Sequence, residues 1–342
     1  MNNQNVQARR DLPFSLIICT YKRPVPVVTL LESVAAQTLY PDEILVVDGS
    51  PDDATAVALQ NRSFANLTYY KVPDSERGLT RQRNYGIARS GDTQIIAFLD
   101  DDIVLETDYF ANLIETYHEF PDAFGVGGYI VEDVGWEPVA DTTPDSHFFV
   151  FDGWKRRDGS RFVLRKKLGL DSDVAPGFMP KFSHGRSIGF LPPSGKTYRV
   201  EQLMGGVSSF RKTVFKTFSF SHYFEGYGLY EDADFCLRLA QSGPLYLNTS
   251  ARLYHYHDDS GRPNRFDYGQ MVVRNGWYVW RVRHPKPGLK AVFKWHTITV
   301  LLAGLRLLNT FNTRQKKRAF TEAIGRFWGW LRLFFDQPRI VR

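Results

Sequence analysis

The chain has 342 residues, of which 43% are hydrophobic and 23% are charged, the composition of an ordinary globular protein of enzyme size. These proportions exclude a collagen, a coiled coil and a wholly disordered chain. The two cysteines, Cys19 and Cys236, provide neither a disulfide framework nor a CxxC pair for zinc, so we expect a reducing, cytoplasmic setting. The first fifteen residues lack the apolar run of a signal peptide, so we expect a chain that is not secreted.

The formal net charge of +6 is divided unevenly along the chain. Residues 1–261 carry 26 Lys or Arg against 34 Asp or Glu, a balance of −8, whereas residues 262–342 carry 17 against 3, a balance of +14. A basic tail of this kind can bind anionic lipid or nucleic acid, or it can simply lie in water. Charge alone does not choose among these possibilities.

Short apolar runs alternate with amphipathic stretches over the first 130 residues. The predicted strands are 14–20, 43–50, 67–72 and 94–99, and the predicted helices are 25–38, 53–60, 80–88 and 108–119. Strands that alternate with helices indicate an α/β fold with a mostly parallel, doubly wound sheet that helices flank.

Polar side chains follow three of the predicted strands, at the edge where ligands of such sheets collect. Residues 20–23 follow the first strand, Asp48 ends the second, and the aspartates at 100–102 follow the fourth. The sequence has no GxGxxG after the first strand and no GxxxxGK[ST] motif. A nucleotide bound at this edge would therefore be held without the usual phosphate-binding loops.

The three consecutive aspartates indicate a divalent-metal site. In an extended segment alternate side chains point the same way, so Asp100 and Asp102 can share one site while Asp101 faces another. Mg²⁺ and Mn²⁺ prefer oxygen ligands, and they commonly bind one or two carboxylates together with diphosphate oxygens and water. The alternative is a solvated acidic turn whose aspartates cap a helix.

A second acidic cluster lies in residues 228–243. The apolar spacing predicts a short helix with Glu231, Asp232 and Asp234 in its first turn. Acidic residues are common at that position because they complement the helix dipole. Taken by itself, this cluster favours a structural role over a catalytic one.

Residues 253–264 contain two histidines in a segment that we expect to be extended. His255 and His257 stand at alternating positions, so they should face opposite sides, and only one of them is expected to reach a metal or a phosphate. The alternative is a histidine that makes a structural hydrogen bond.

The C-terminal region contains two segments, 291–311 and 323–335, that combine Leu, Phe and Trp with scattered basic residues. The uninterrupted apolar part of the first is nearer about 10 residues than the roughly 20 that cross a bilayer, so we do not predict a transmembrane helix. The pattern is typical of helices that lie in a membrane surface over anionic headgroups, or of helices that pack on the rest of the protein. Residues 314–318 have too few interleaved aromatics to favour nucleic-acid binding.

Seven segments, taken in order, resemble the family 2 glycosyltransferases, which have the GT-A (Rossmann-like) fold. They are SLIICTYKRP (15–24), EILVVDGSPDD (43–53), GLTRQRNYGIARS (78–90), IIAFLDDDIVLETDYF (95–110), GGVSSFRK (205–212), YEDADFCLRLAQSG (230–243) and LYHYHDDSG (253–261). The resemblance implies a GT-A domain over 13–265, with 133–204 as an insertion that covers the substrate or selects the acceptor, or as solvated hairpins. Residues 266–342 would form a basic, amphipathic helical tail.

The resemblance implies a nucleotide-sugar site at the carboxyl edge of the sheet. Thr20, Tyr21 and Arg23 would line the nucleotide pocket, and Asp48 would bond the base or the ribose. Arginine offers a planar fork of donors, which suits Arg81 near the diphosphate or the sugar. The full set that the resemblance assigns to the nucleotide sugar is Thr20, Tyr21, Arg23, Asp48, Arg81, Asn84, Asp100, Asp101 and Glu231.

The resemblance also implies a metal site and a catalytic base. Asp100 and Asp102 match the family's DxD signature, with Asp102 as the most direct ligand of Mn²⁺ or Mg²⁺. His257 matches the family's late histidine as a further ligand, because a serine follows it three residues later. His255 stays open as a competitor, since the two candidates differ by one alternation of the chain. Asp232, the second residue of a Glu-Asp pair, matches the base that activates the acceptor.

These assignments imply an inverting, metal-dependent glycosyltransferase with a nucleoside-diphosphate sugar as donor; UDP is the expected carrier, with dTDP and GDP open. The acceptor would be a glycan or a lipid-linked molecule of cell-surface polysaccharide synthesis. The enzyme would work in the cytoplasm at the inner face of the cell membrane, with peripheral contact through 291–335 and no nucleic-acid partner. The alternatives are a nucleotidyltransferase that makes a nucleotide-sugar, and an inactive module that binds membrane or RNA.

Overall fold

Helices and strands alternate over the first 130 residues, as the sequence predicts. The computed structural model describes residues 12–60, 62–139, 145–256 and 263–340. The strands are β1 (Phe14–Thr20), β2 (Glu43–Asp48), β3 (Leu67–Lys71), β4 (Ile95–Asp100), β5 (Ile103–Leu105), β6 (Gly125–Ile130), β7 (Glu137–Pro138), β8 (Phe148–Phe151), β9 (Trp154–Arg157), β10 (Thr197–Val200), β11 (Val207–Arg211) and β12 (Leu245–His255). The α-helices are α1 (Pro24–Ala35), α2 (Ala54–Gln60), α3 (Leu79–Ile87), α4 (Tyr109–Glu119), α5 (Ser160–Lys167), α6 (Glu231–Leu239), α7 (Arg265–Arg283), α8 (Leu289–Asn312) and α9 (Lys316–Arg332).

The chain divides into two compact units. Unit 1 consists of Met1–Glu132 and Pro193–Gly261, and unit 2 consists of Asp133–Pro192 and Arg262–Arg342. The sequence analysis treats 133–204 as an insertion in the GT-A domain, whereas the structure groups most of that segment with the C-terminal helices. Strand β10, which lies in the last part of the segment, remains in unit 1 because its backbone pairs with β12.

Unit 1 is built on a nine-stranded sheet. The strand order is β10-β12-β6-β11-β4-β1-β2-β3, and β5 pairs with β12. Strands β4, β1, β2 and β3 run parallel, as the alternation with helices predicts. Strand β11 lies antiparallel between β4 and β6, so the complete sheet is mixed. The predicted α/β class with a C-terminal helical region is confirmed.

Strands β1, β2 and β4 are almost entirely buried, whereas the edge strand β3 is only partly buried. Leu16 and Ile18 of β1 pack in the main core with side chains of α1 and α4. Ile17 points to the other face, where α3 passes so close that a Cβ on Gly86 would come within 2.8 Å of it. Burial of each such side chain stabilises the folded state by roughly 2 kcal/mol. The polar side chains lie at the ends of the strands.

Unit 2 contains a small antiparallel sheet in the order β7-β9-β8. Close by in sequence, Arg186 is buried and pairs with Asp158 through two hydrogen bonds of 2.7 and 3.0 Å. The rings of Phe149, Phe162 and Phe190 surround its guanidinium at 4.2 to 4.9 Å. A buried ion pair of this kind needs such complete satisfaction, so we interpret the cluster as a structural centre of the unit.

The C-terminal helices of unit 2 pack around an aromatic core. Trp277 and Trp280 of α7 contact Trp295 of α8, with ring centroids 4.8 and 5.6 Å apart. Helix α9 crosses α7 at small residues, and a Cβ on Gly325 would come within 2.1 Å of the carbonyl oxygen of Phe266. The approach is possible because glycine has no side chain at that position.

Helix α8 is long and apolar enough to cross a membrane by length and composition, two criteria that the core helix of a soluble protein also meets. About a fifth of its most apolar stretch, 22%, is buried. The sequence analysis counts a shorter uninterrupted run in the same segment because basic side chains interrupt it. Trp295, Ile298, Thr299 and Ala303 form the buried side of the helix.

Candidate active site

The candidate site lies at the carboxyl ends of β1, β2 and β4. In the sheet register Thr20 stands opposite Asp48, and Cys19 stands opposite Asp100. Strand β1 has β2 on one side and β4 on the other, so the order of the parallel strands reverses there. Ligands of α/β sheets bind in the crevice outside such a reversal. The register therefore brings the predicted polar segments to one edge.

Two carboxylates and an imidazole form a group at this edge that fits a divalent cation. The ligand atoms of Asp100, Asp102 and His255 all lie within 4.8 Å of one another. His255 reaches the group because β12 pairs with β5, which places it opposite Ile103. Two oxygen donors on neighbouring positions suit Mn²⁺ or Mg²⁺ and leave room in the coordination shell for diphosphate oxygens and water.

The structure assigns a position to one of the two candidate histidines. The Nε2 atom of His255 lies 2.9 Å from Oδ1 of Asp102. This hydrogen bond raises the pKa of His255, so the ring must release its proton before it can bind a metal. His257 lies outside the described residues, so its assignment as a metal ligand stays a prediction.

Asp101 faces the segment after β1, as the alternation of side chains predicts. Its Oδ2 accepts a hydrogen bond of 2.7 Å from the Thr20 hydroxyl, and its Oδ1 accepts one of 2.9 Å from Arg23. The same Nη1 of Arg23 lies 3.2 Å from Oδ2 of Asp102. Burial raises the pKa of Asp101 to about 6, against the lowering effect of these two donors. Arg23 thus ties the first loop to the acidic cluster.

An open cleft of about 650 Å³ lies beside the ends of β2 and β3. Its lining includes Ser50, Lys71 and Arg77. Asp48 is fully buried and accepts hydrogen bonds from the backbone N–H of Ser50, at 2.7 Å, and from the Tyr69 hydroxyl, at 2.9 Å. The Asp48 carboxylate therefore already holds the wall of the cleft in place. A hydrogen bond from a base or ribose would have to be accepted by this same carboxylate.

The aromatic residue predicted for the nucleotide pocket is exposed next to this cleft. Tyr21 is 41% exposed, and Lys22 and Arg77 lie over its ring at 5.4 and 5.9 Å from the centroid. Arg77 also donates to the carbonyl oxygen of Gly49 and so belongs to the cleft wall as well. A ring beside two cations can contact a base while the cations face phosphate.

Asp232 is the second residue of helix α6 and faces the segment before β11. Its Oδ2 accepts a hydrogen bond of 3.1 Å from the backbone N–H of Gly205, and its Oδ1 accepts one of 2.7 Å from Ala233. The side chain stays partly accessible. Tyr230, which precedes the helix, has a left-handed backbone with φ of 70°, a strained conformation that aims the start of the helix.

Two glycines connect the two acidic clusters. A Cβ on Gly206 would come within 2.0 Å of the Asp100 carboxylate, and a Cβ on Gly205 would come within 2.5 Å of Glu231. The backbone of this segment thus fills the space between the end of β4 and the start of α6. Only glycine permits that approach, and it brings Asp100 and Asp232 into one crevice.

Arg83 is a buried residue of the candidate site that the sequence analysis missed. It is buried, forms an ion pair with Oε1 of Glu231, and has its Nη2 3.6 Å from Oδ1 of Asp100. It therefore joins the helix that carries Asp232 to the strand that carries the DxD aspartates. The spacing of residues in the sequence could have indicated this buried position. Thr80, Arg83 and Gly86 recur at intervals of three, and all three lie on the buried face of α3.

Burial has opposite effects on the two partners of this ion pair. It raises the pKa of Glu231 to about 8, against the lowering effect of Arg83. It disfavours the charged form of Arg83, but Glu231 and Asp100 more than compensate, so the pKa of Arg83 is raised. The second carboxyl oxygen of Glu231, Oε2, is buried without a hydrogen-bond partner among the described residues.

Arg81 and Asn84 lie on α3, but their contacts lead away from the acidic cluster. Arg81 donates to the carbonyl oxygen of Ser75 at 3.1 Å and pairs with Glu225. The side-chain amide of Asn84 both donates to and accepts from the backbone of Phe220, at 2.9 and 3.1 Å. Their predicted roles at the diphosphate or sugar remain predictions, and the contacts themselves anchor the loop before α6.

Comparisons with known proteins agree with this geometry. The sequence profile of Glycosyl transferase family 2 matches residues 15–182. The glucosyl-dolichyl phosphate glucuronosyltransferase of Haloferax volcanii is 34% identical over 122 residues, which are 35% of this chain and 38% of that protein. The O-antigen chain rhamnosyltransferase RfbN of Salmonella typhimurium is 29% identical over 105 residues, 30% of this chain and 32% of that protein. The chain thus spans about a third of the length of these relatives.

The fold has a counterpart among solved structures. The crystal structure of GalNAc-T7 with UDP, GalNAc and Mn²⁺ matches with a TM-score of 0.50 at 16% identity, over 80% of this chain and 50% of that chain. At this identity the likeness concerns the fold, which is the GT-A fold expected from the sequence. The profile match assigns residues 15–182 of the chain to Glycosyl transferase family 2.

Proposed function

We propose that the protein is an inverting glycosyltransferase that moves a sugar from a nucleoside-diphosphate donor to a hydroxyl group of a glycan or lipid-linked acceptor. The observation that carries the proposal is the position of Asp232. Its carboxylate bonds Gly205, and the next residue, Gly206, packs directly against Asp100 of the DxD motif. A proton acceptor and a group that can hold a donor diphosphate thus share one crevice.

The donor would lie along the carboxyl edge of the sheet. The open cleft beside Ser50, Lys71 and Arg77 is of a size for a nucleoside, and the basic side chains in its wall suit phosphate. Tyr21 and Arg23 lie between this cleft and the aspartates, so the diphosphate would pass Arg23 on its way to Asp102. UDP is the carrier that we propose, since the solved relative contains it.

Asp100 and Asp102, with His255 as a third donor, would hold Mn²⁺ or Mg²⁺. When bound, the ion would supply positive charge next to the departing diphosphate. Arg23 remains within reach of both Asp101 and Asp102 and would add a fixed cation at the same end of the site. The chain's own contribution is a preorganised set of charges, which costs no rearrangement during the reaction.

Asp232 would act as general base. The acceptor oxygen forms a bond to the anomeric carbon while its proton moves to the Asp232 carboxylate, and the bond from that carbon to the diphosphate oxygen breaks with its electron pair on the leaving group. The N–H groups of Gly205 and Ala233 donate to the carboxylate and orient it.

The acceptor would be lipid-linked or part of a cell-surface polysaccharide. The two curated relatives carry names that refer to a dolichyl phosphate and to an O-antigen chain. The basic C-terminal region, with 17 Lys or Arg against 3 Asp or Glu over residues 262–342, would keep the enzyme at the inner face of the membrane. We propose peripheral contact through residues 291–335.

The Asp232→Asn variant tests the assignment of the base. Transfer from a panel of nucleotide-sugars should fall at least about 100-fold, because a general base contributes 10²–10⁴-fold, while UDP binding in the presence of Mn²⁺ should persist. The matched control is Asp92→Asn, an exposed aspartate ahead of β4 at the opposite edge of the sheet. Normal turnover by Asp232→Asn would refute the assignment. In a separate assay with a nucleoside triphosphate and a sugar 1-phosphate, formation of a nucleotide-sugar with release of inorganic diphosphate would identify a nucleotidyltransferase.

A further inference from the structure

Helix α9 presents an apolar stripe to solvent. Phe320, Ile324, Trp328 and Leu331 are between 40% and 49% exposed, and Phe335, in the turn that follows the helix, is 90% exposed. At 100° per residue these five side chains fall within an arc of about 80°. A helix on the surface of a soluble protein carries polar residues on that side, so this stripe requires an explanation.

The packing of unit 2 fixes the direction of the stripe. The opposite side of α9 is buried through small residues, and Gly325 and Gly329 lie against the backbone of α7. The one acidic side chain of α9, Glu322, is buried and neutralised by ion pairs of 2.7 Å with Arg306 and Arg326. The helix cannot rotate to hide its stripe without breaking these contacts.

Basic residues outnumber acidic ones around the stripe, where the exposed Asp336 next to Phe335 pairs with Arg332 and Arg274. Lys316, Lys317 and Arg318 at the start of α9 are exposed, and so is Arg332 at its end. Helix α8 has the same kind of exposed apolar side chains, Phe293 being 72% exposed. Apolar side chains surrounded by exposed cations form the pattern of a helix that lies in an anionic lipid surface.

We propose that α9 lies in the plane of a membrane, with Phe320, Ile324, Trp328, Leu331 and Phe335 among the acyl chains and the exposed cations on anionic phospholipid headgroups. This inference deepens the membrane contact of the proposed function by naming the residues and the lipid chemistry. A second copy of the chain is a poorer occupant, because it would bring the same excess of cations to the interface. A helix that spans the bilayer would require α8 to leave its packing around Trp295.

The test is binding of the full chain to lipid vesicles without donor or acceptor. Vesicles of phosphatidylcholine with about one third phosphatidylglycerol should float the protein at low salt, whereas pure phosphatidylcholine should float much less. The triple variant Ile324→Ser, Leu331→Ser and Phe335→Ser should lose at least 10-fold in affinity. The control Val57→Ser removes a comparably exposed apolar side chain from helix α2 in unit 1 and should bind as wild type.

Fluorescence provides a second measurement at one residue. All seven tryptophans lie in unit 2. Trp328 is the tryptophan on the apolar stripe, and its side chain is exposed. Vesicles should shift the emission of the wild type to the blue, and the Trp328→Phe variant should lose that shift while it keeps its binding within a few-fold.

Four results would overturn the inference: no binding to anionic vesicles, unchanged binding by the triple variant, resistance to alkaline extraction as for a spanning helix, or a dimer that the triple variant dissociates. Because the assay uses neither donor nor acceptor, its failure leaves the transferase proposal standing. Asp232→Asn should bind vesicles as wild type.

Discussion

Replacing Glu231 by glutamine tests whether the buried carboxyl group of Glu231, next to Asp232, is protonated or charged. Glutamine has the shape of protonated glutamate, so its oxygen can still accept a hydrogen bond from Arg83. Its amide nitrogen takes the place of Oε2, which has no hydrogen-bond partner among the described residues. Because burial raises the pKa of Glu231 to about 8, the wild-type side chain should resemble the variant at neutral pH.

The expected effect on stability follows from the pKa difference between the folded and unfolded chains. The unfolded chain releases this proton near pH 4.5, whereas the folded chain keeps it until about pH 8. The contribution of Glu231 to the free energy of unfolding is therefore complete below pH 4.5 and is lost as the pH rises through about 8. The slope is at most about 1.4 kcal/mol per pH unit, so between about pH 5.5 and pH 7.5 the wild type should lose about 3 kcal/mol relative to Glu231→Gln.

The measurement must report on unit 1, whereas all the tryptophans lie in unit 2. Cys19 and Cys236 are both in unit 1, and burial raises the pKa of the Cys19 thiol to about 12, so native protein should resist alkylation. A short pulse of N-ethylmaleimide along a urea gradient, read by mass, gives the unfolded fraction at each pH. A difference between wild type and Glu231→Gln that stays constant from pH 5.5 to 7.5 would refute the reasoning and indicate a permanently ionised pair with Arg83.

Two further substitutions test the geometry of the metal site. Gly206→Ala should weaken Mn²⁺-dependent UDP binding at least about 10-fold, because the added Cβ collides with the Asp100 carboxylate; Gly91→Ala, whose Cβ would meet nothing nearer than 3.4 Å, is the control in the same titration. His255→Ala should lower the affinity for Mn²⁺ by at least about 10-fold, since the loss of a mere outer-shell partner already has an effect of that size. If His257→Ala shows that loss and His255→Ala does not, the late histidine of the family pattern is the ligand.

The parallel part of the sheet could be predicted from the sequence because its signals are local. Each of the first four apolar runs becomes a strand within two residues of the predicted bounds, and residues 24–35 become the first helix. Three of these runs, which form β1, β2 and β4, are buried on both faces and are indicated by apolar content alone, whereas β3 is a partly exposed edge strand. The antiparallel position of β11 between β4 and β6 depends on contacts with residues about 80 and 110 positions earlier, and no local pattern encodes it.

The site was predictable where it depends on a strand end and less so where it depends on a helix face. Asp100 and Asp102 follow an apolar run, so their common direction comes from the alternation of a strand. On α3 the choice between Arg81 and Arg83 depends on which face the helix buries, and with Gly86 at an interval of three Arg83 belongs to the buried one. The resemblance to the family assigns Arg81 and Asn84 to the site, and it does not use this periodicity.

The proposed active-site crevice depends on a steric condition more than on the acidic residues themselves. Asp100 and Asp232 are 132 positions apart in the sequence, and no direct hydrogen bond between their side chains fixes their approach. What fixes it is the backbone of Gly205 and Gly206, together with Arg83, which contacts Glu231 at the start of α6 and Asp100 at the end of β4. Without this shared partner the end of β4 and the start of α6 would lose a direct side-chain link. The arrangement implies that a loss of Arg83 would impair metal binding and base positioning together, although Arg83 contacts neither Asp102 nor Asp232 among its recorded partners.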